Sequence, residues 1–294
     1  MIAFDTETTS TDQMKAELVG ISLAVEPNSA FYIPVGHTHG EQLPSHQVLD
    51  ALRGPLTDTS IPKAGHNLKN DFVMLNRYGL QVNPLSFDTM IAEWLVNPDS
   101  RNLGLKNLSW VRLGHQMTEI EELIGKGKKQ ISMADVPIGD VATYAGDDAA
   151  IVLQLIPQLK IELENANLTS LFVEIEMPLI QVLSEMEMTG IGLDTAFLEE
   201  MSKTLSIRLS EIENRVIEYV GEPFNLNSTQ QLSHALFDVL NLPPPDRARK
   251  TASGFYSTAV GVLESLKKLH PVVDLVLEYR ELSKLRSTYV DALP

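Results

Sequence analysis

The amino-acid sequence predicts an α/β domain followed by an all-α segment, and three observations carry this prediction. Within residues 1–35, short apolar runs of alternating polarity are separated by turn residues, which is typical of strands. Helical spacing of apolar residues then alternates with strand-like runs as far as about residue 165, and only helical spacing follows. With 294 residues, of which 44% are hydrophobic and 21% charged, the chain is long enough to bury two cores.

Each element of the first part is predicted from a local pattern. The second and third strands are joined by a turn at Pro27 and Asn28, and Leu68, Phe72 and Leu75 recur at helical spacing. Asp88 is predicted to cap the helix that follows it. The predicted strands cover residues 1–7, 18–25, 30–35 and 63–67, and the predicted helices cover residues 45–56, 68–78, 88–96, 105–113 and 141–165. We expect Pro157 to kink or break the last of these helices.

The second part contains only helical patterns. Gly190 and Gly221 mark helix ends, and Ser228 with Gln231 three residues later forms a predicted capping box. The predicted helices cover residues 171–188, 194–220, a stretch after Ser228, 258–269 and 272–290. The sequence therefore predicts two domains, residues 1–168 and residues 169–294.

Charge and composition exclude several classes of function. The net charge is −16, and it is unevenly spread: residues 1–150 carry 11 basic and 19 acidic residues, residues 151–240 carry 4 and 14, and residues 241–294 carry 8 and 6. Such a chain is not expected to bind nucleic acid through bulk charge, so any such contact must be local. The absence of cysteine excludes disulfides and thiol nucleophiles. No apolar run suits a membrane span or a signal peptide, which predicts a soluble, cytoplasmic protein without a membrane partner.

Three separated motifs bring together acidic residues and a tyrosine. Asp5 and Glu7 are two apart on the first strand and therefore point to one face. Asp71 follows at a strand-to-helix junction, and Tyr144 and Asp148 share one face of the long helix because they are four residues apart. Carboxylate oxygens suit Mg²⁺ and Mn²⁺, and two such ions can clamp the attacking and leaving oxygens of a displacement at phosphorus. The pattern predicts a metal-dependent phosphodiester hydrolase, in which the Tyr144 hydroxyl aims the attacking water.

These motifs, in this order, resemble those of the DEDD superfamily of 3′–5′ exonucleases, in the subtype whose third motif carries a tyrosine. The whole chain is also similar to bacterial family A DNA polymerases, on stretches at residues 87–90, 125–130, 174–178, 224–229, 277–280 and 284–289. The resemblance implies a ribonuclease H-like exonuclease domain, a mixed sheet flanked by helices, followed by the first part of an elongated, all-α polymerase thumb. The implied activity is proofreading removal of nucleoside monophosphates from a DNA 3′ end. No polymerase catalytic motif of that family lies in these 294 residues, so the palm and fingers are expected to be absent.

The resemblance also implies roles for individual residues. The implied ligands of two divalent cations, Mg²⁺ or Mn²⁺, are Asp5, Glu7, Asp71 and Asp148, with Tyr144 orienting the water. The implied DNA contacts are Thr6, Thr8, Asn67, Lys69, Lys126, Lys128, Arg247, Arg249, Lys250, Lys284 and Arg286. Three positions depart from the family pattern, Thr11, Asn70 and Ile120, and these departures concern the grip on the terminal bases rather than the metal ligands.

The expected partners are a single-stranded DNA 3′ end and a primer–template duplex, bound by a monomer near the bacterial nucleoid. Two alternatives remain open. One is an RNA-trimming exonuclease of the same superfamily, which the thumb-like helices disfavour. The other is a non-catalytic DNA-holding module, which is disfavoured because all four carboxylates and the tyrosine are present.

Overall fold

The computed structural model describes residues 1–244 and 254–294 and divides the chain into two compact units, Met1–Gly190 and Ile191–Pro294. The first unit contains a five-stranded sheet with helices packed against it, and the elements described in the second unit are all helical. The α/β class predicted for the first part and the all-α class predicted for the second are both confirmed.

A mixed sheet lies at the centre of the first unit. Its strands are β1 (Ile2–Thr8), β2 (Leu18–Glu26), β3 (Ser29–Pro34), β4 (Lys63–Gly65) and β5 (Leu85–Asp88). The spatial order is β3-β2-β1-β4-β5; β1 is antiparallel to β2, β2 is antiparallel to β3, and β4 is parallel to both β1 and β5. The first strand is therefore central, where neighbours on both sides fix its backbone.

Helices pack against this sheet and enclose its core. Those of the first unit are α1 (Ser45–Thr57), α2 (Leu68–Arg77), α3 (Thr89–Val96), α4 (Leu105–Leu108), α5 (Ile120–Ile124), α6 (Ile138–Asn165), α7 (Thr169–Leu171) and α8 (Met177–Thr189). Strand residues Phe4 and Ile21 are fully buried together with Phe72 of α2 and Leu155 of α6. Burial of these side chains fixes the two helices that carry the second and third motifs against β1.

The long helix α6 contacts β1, β2 and β3 and continues through Pro157. Of the two outcomes predicted at Pro157, a kink or a break, the helix therefore does not show the break. A proline inside a helix removes one backbone hydrogen bond, but here Leu155, Ile156 and Leu159 on either side of it are buried in the core. Packing on both sides of the proline keeps the helix continuous.

The first compact unit extends past the boundary that we predicted after residue 168. Phe172 packs against Phe87 of β5 with ring centroids 4.9 Å apart and ring planes tilted by 51°, and Met177 and Ile180 are buried in the same core. Helix α8 also packs against α2. Residues 169–190, which the sequence assigned to the helical part, therefore belong to the α/β unit by packing.

The second unit has its own core. Its described helices are α9 (Thr195–Val220), α10 (Thr229–Ser233), α11 (Val260–Leu266) and α12 (Val272–Leu285), with π-helical turns after α10 and α12. Ser228 caps α10 as predicted, accepting a hydrogen bond from the Gln231 N–H. The Gln231 side chain does not complete the capping box; its Oε1 accepts from the Asn225 N–H instead, at 2.7 Å.

Among the helices described, none alone has the length and apolar character needed to cross a membrane. Ile138–Asn165 and Thr169–Thr189 meet the two criteria only when they are taken together, as a pair bent by 120°.

Candidate active site

Three carboxylates converge where β1 meets α6. One ligand oxygen from each of Asp5, Glu7 and Asp148 lies within 4.8 Å of the other two. Asp5 and Glu7 share a face of β1, and Asp148 reaches them from the helix packed on that strand. Glu7 and Asp148 are only 7% and 8% exposed, so their charges are held away from bulk water. This confirms the convergence of Asp5 and Glu7 that their spacing predicted, and it brings Asp148 to the same place.

The fourth predicted ligand, Asp71, lies at the start of α2 and is bonded to the first strand. Its Oδ1 accepts hydrogen bonds from the Thr6 backbone N–H at 2.8 Å and from the Thr6 hydroxyl at 2.6 Å. Asp71 is buried, and its charge acts on Asp5 and Glu7. Thr6, predicted as a DNA contact, thus orients a carboxylate of the site.

The position of Asp71 depends on Asp88 at the end of β5. The Asp88 carboxylate caps α3, as predicted, by accepting hydrogen bonds from Met90 and Ile91. It also accepts from the backbone N–H groups of Asn67 and Leu68, at 3.1 and 2.7 Å, and so holds the start of α2. Asn67 adopts a left-handed conformation there, with a φ of 60°.

Burial and mutual repulsion perturb all four carboxyl groups. Burial raises the pKa of Asp5 well above its usual range, and the neighbouring Asp71, Glu7 and Asp148 raise it further. Burial likewise raises the pKa of Glu7 to about 8, of Asp71 to about 7 and of Asp148 to about 6. Each shift disfavours the charged form of its carboxyl group, and a bound cation would offset that cost.

One basic residue that the sequence analysis did not single out lies against this cluster. The Nζ of Lys106 is 3.5 Å from Asp148 Oδ1 and 4.1 Å from the centroid of the Tyr144 ring. Its positive charge opposes the rise in the pKa values of Asp5, Glu7 and Asp148. Lys106 is 42 residues from Asp148 in the chain, and no local pattern marks it.

Tyr144 lies one turn before Asp148 on α6 and is 8% exposed. Burial, followed by the charges of Asp148, Glu7 and Asp5, raises the pKa of its hydroxyl above the usual range, so the group stays protonated. The side chain also borders a pocket of about 360 Å³ together with Leu123 and Val136. A neutral hydroxyl near the carboxylates can both donate and accept a hydrogen bond.

A pocket of about 900 Å³ opens in front of the carboxylates. Asp5, Glu7 and Asp71 line one part of it. The same pocket is lined by the three positions that depart from the family pattern, Thr11, Asn70 and Ile120, and by three of the predicted DNA contacts, Thr6, Thr8 and Asn67. The departures therefore fall on the cavity next to the carboxylates.

The predicted basic contacts of the first unit are already paired or lie at the surface. Lys69 forms an ion pair with Glu187 of α8. Lys126 is exposed and paired with Glu121 at 2.5 Å, and Lys128 is exposed in a 3₁₀ turn after α5. None of these arrangements tests the predicted contact with DNA.

The predicted basic contacts of the second unit fall into two groups. Lys284 is exposed on α12, and Arg286 is half-buried, with its Nε 3.1 Å from Asp291 Oδ2. Arg247, Arg249 and Lys250 lie outside the described residues.

The fold and the site define a class of enzyme: a mixed sheet with a cluster of carboxylates beside an open pocket is suited to metal-dependent phosphodiester chemistry. Residues 1–164 match the family model described as 3′–5′ exonuclease, and residues 195–294 match the one described as DNA polymerase family A. The chain therefore belongs to the 3′–5′ exonuclease family of family A DNA polymerases. This confirms the exonuclease function and the metal dependence that the motifs predicted.

The chain is also similar to individual curated proteins and to a solved structure. The chain is 43% identical to a DNA polymerase I of Chloroflexus aurantiacus over 99% of its length and 39% identical to one of Synechocystis sp. over 100%. It spans only 31% and 30% of those proteins. A solved structure of the POL domain of Pol1 from M. smegmatis, in complex with DNA primer-template and dNTP, matches 99% of this chain and 45% of its own, with 25% identity and a TM-score of 0.75.

Proposed function

We propose that this chain hydrolyses the 3′-terminal phosphodiester of DNA with two divalent cations, Mg²⁺ or Mn²⁺, and releases nucleoside monophosphates. The observation that carries the proposal is the convergence of Asp5, Glu7 and Asp148 beside a pocket of about 900 Å³. That volume falls in the range of small-molecule sites and suits the terminal nucleotides of a single strand.

The residues present fit the proposed cations. All four side chains offer carboxylate oxygens, which hard cations prefer. Their raised pKa values reflect burial first and, for Asp5 and Glu7, also the charges of neighbouring carboxylates, which cations would offset. In the proposal Asp5, Glu7, Asp71 and Asp148 hold the ions. Bound ions supply an activated water and stabilise the leaving 3′ oxygen.

The hydroxyl of Tyr144 is proposed to orient the attacking water. It is neutral and lies one helical turn from Asp148, close enough for the charges of Asp148, Glu7 and Asp5 to act on it. Thr6 contributes indirectly, because its two hydrogen bonds fix the rotation of the Asp71 carboxyl group. This chemistry proceeds without a covalent intermediate.

The larger function is proposed from the relatives. Because the curated relatives are named DNA polymerase I, this stretch is proposed to proofread for a longer polymerase in the bacterial cytoplasm, acting as a monomer. Residues 195–294, which match DNA polymerase family A, are proposed to contact duplex DNA, and the M. smegmatis relative bound to primer-template supports this. The excess of basic over acidic residues in 241–294 fits that role.

A cleavage assay tests the catalytic proposal. Single-stranded DNA labelled at its 5′ end is incubated with the chain in Mg²⁺, in Mn²⁺ and in EDTA, and the same strand as RNA is run in parallel. We expect stepwise shortening from the 3′ end of DNA in either metal, none in EDTA, and none with Asp148→Ala. Glu164→Ala is the matched control, since Glu164 is an exposed acid near the far end of the same helix, α6. Shortening in EDTA refutes the mechanism, and faster cleavage of RNA selects the RNA-trimming alternative.

Duplex binding is tested separately. The triple substitution of Arg247, Arg249 and Lys250 by Ala is expected to weaken duplex affinity. It should also flatten the salt dependence of that affinity by about 0.9 in log–log slope for each phosphate that is no longer neutralised by a basic side chain. Cleavage of a short single strand should not change. An unchanged affinity and slope would refute the assignment of these three residues.

A further inference from the structure

The segment that carries Lys106 is tied to the helix that carries Tyr144 and Asp148. The guanidinium of Arg112 donates two hydrogen bonds to Glu162 of α6, at 2.7 and 2.8 Å, and a third to Glu93 of α3, at 2.5 Å. The side chains of Arg112 and Glu93 are 9% and 4% exposed, so this ion pair is buried, whereas Glu162 is 35% exposed and lies at the edge of the triad. Paired buried charges of this geometry fix the segment against α6.

A second tie lies nearer the site. His115 Nε2 is 2.9 Å from Asp147 Oδ2, and the Ser109 hydroxyl donates to the His115 carbonyl oxygen at 2.8 Å. Residues 105–115 therefore contact α6 at Asp147, Asp148 and Glu162. The backbone that carries Lys106 is therefore held against α6 by contacts of other residues, and not only by the Lys106 side chain itself.

Lys106 supplies the positive charge that lies against the carboxylate cluster. Of the basic residues described, Lys106 is the one that forms an ion pair with the carboxylate cluster. Its side chain is only 20% exposed, so solvent screens its charge weakly. It also lies over the ring of Tyr144, at a distance where a cation is attracted to the ring face.

We propose that Lys106 is the built-in counter-cation of this site: it competes with the divalent cation for Asp148, and it positions the Tyr144 ring for cleavage. The inference rests on the proposed function and assigns one more residue to its regulation. Lys106 is a positioning residue, since it acts through Asp148 and Tyr144. While no divalent ion is bound, its ammonium keeps the cluster assembled; once an ion binds Asp148, its contact with the tyrosine ring remains.

This arrangement predicts opposite changes in two measurements. Removal of the positive charge makes the cluster more negative, so divalent ions should bind more tightly. The same change removes the cation from the face of Tyr144, so the hydroxyl is held less firmly and cleavage should slow. A residue that only supports the fold would weaken both metal binding and cleavage.

The test compares Lys106→Met with the charge-conserving Lys106→Arg and with Lys160→Met. Lys160 is a matched control, because its Nζ also lies over an aromatic ring, that of Phe87 at 5.7 Å, and it is farther along α6 from the carboxylates. Mn²⁺ affinity is measured without DNA by electron paramagnetic resonance, and single-turnover cleavage is measured at saturating Mn²⁺. Circular dichroism checks that each variant is folded. Lys106→Gln serves as a second neutral variant in both measurements.

We expect Lys106→Met to bind Mn²⁺ roughly three- to tenfold more tightly than the parent, from the loss of one nearby positive charge in partly screened surroundings. We expect its cleavage step to slow by about tenfold or more, because the Tyr144 hydroxyl is still present but is held less firmly. Lys106→Arg should remain near the parent in both measurements, and Lys160→Met should equal it.

Two results would overturn the inference. Weaker Mn²⁺ binding by Lys106→Met would show a merely structural role, and parental values in both measurements would show that the lysine is a bystander. Failure of the proposed function has a different signature, because the parent itself would then neither bind Mn²⁺ nor cleave.

Discussion

Replacement of Asp148 by Asn should change stability and activity in opposite directions. Asn has the same shape as Asp and keeps an oxygen that accepts a hydrogen bond from Lys106, but it carries no charge. Asp148 shares its surroundings with Asp5 and Glu7, whose ligand oxygens lie within 4.8 Å. We therefore expect the variant to lose metal-dependent cleavage while the metal-free protein becomes more stable.

The magnitude follows from the distances. At an effective dielectric constant of about 20, two like charges 4.8 Å apart repel by about 3.5 kcal/mol, so Asp5 and Glu7 together oppose Asp148 by about 7 kcal/mol when all are ionised. The attraction of Lys106 at 3.5 Å offsets about 5 kcal/mol of this. Retained protons on the parent carboxyl groups relieve part of the remainder. A net gain of about 1–2 kcal/mol corresponds to a rise of roughly 2–8 °C in the melting temperature of a unit of this size.

The assay is thermal unfolding in EDTA at mildly alkaline pH, followed by circular dichroism, alongside cleavage of labelled DNA in Mn²⁺. Asp147→Asn is the control, because it removes the same charge one residue away, where the carboxylate bonds His115 and acts on Asp148 only as the smallest of the causes that shift its pKa. That variant should melt below Asp148→Asn. If Asp148→Asn melts at or below the parent in EDTA, the carboxylates do not repel one another as the geometry requires. If it cleaves at the parental rate, Asp148 is not a ligand.

Three further predictions concern the hydroxyl, the pH dependence and the ion triad. Tyr144→Phe should slow cleavage by about 10²- to 10⁴-fold with unchanged Mn²⁺ affinity, measured by single-turnover kinetics; a parental rate would refute the role of the hydroxyl. In EDTA, the urea midpoint of unfolding should fall as pH rises from about 5 to about 9, because Glu7, whose pKa is raised from 4.5 to about 8, binds its proton more tightly in the folded chain than in the unfolded one. This contribution to stability is fully present below the unfolded pKa and is lost as pH rises past about 8. A midpoint that rises with pH would contradict it. Arg112→Met should destabilise the protein by about 3 kcal/mol, because buried Glu93 loses its partner while the more exposed Glu162 is solvated by water, and a change below about 1 kcal/mol in urea unfolding would show that the triad is dispensable.

Much of the fold was predictable because its signals are local. The caps at Asp88 and Ser228 and the first three strands each follow from residues within a few positions of one another. Strand β5 (Leu85–Asp88) was missed, because it has four residues and its identity depends on pairing with β4. The local pattern at Pro157 predicted a kink or a break, and the helix does not break there because distant core contacts on both sides of the proline hold it.

The metal-ligand candidates were also predictable, but the residues that contact and orient them were not. Spacing on one strand and on one helix places Asp5, Glu7 and Asp148 on faces that the fold then joins. The hydrogen bonds from Thr6 to Asp71 span 65 residues, and the contact of Lys106 with Asp148 spans 42. Such partners have no spacing rule, because they meet only after the sheet and helices have packed.

The charge of the chain bears on what the carboxylates and Lys106 do together. With a net charge of −16 and four carboxylates beside the pocket, the metal-free site repels a phosphate backbone. In our proposal, divalent cations held by the four carboxylates would reverse this local field, and Lys106 keeps one positive charge there whether or not the ions are bound. A phosphate would then be attracted to the site only after cations have entered, so binding of the DNA end would depend on the ions that the same carboxylates hold.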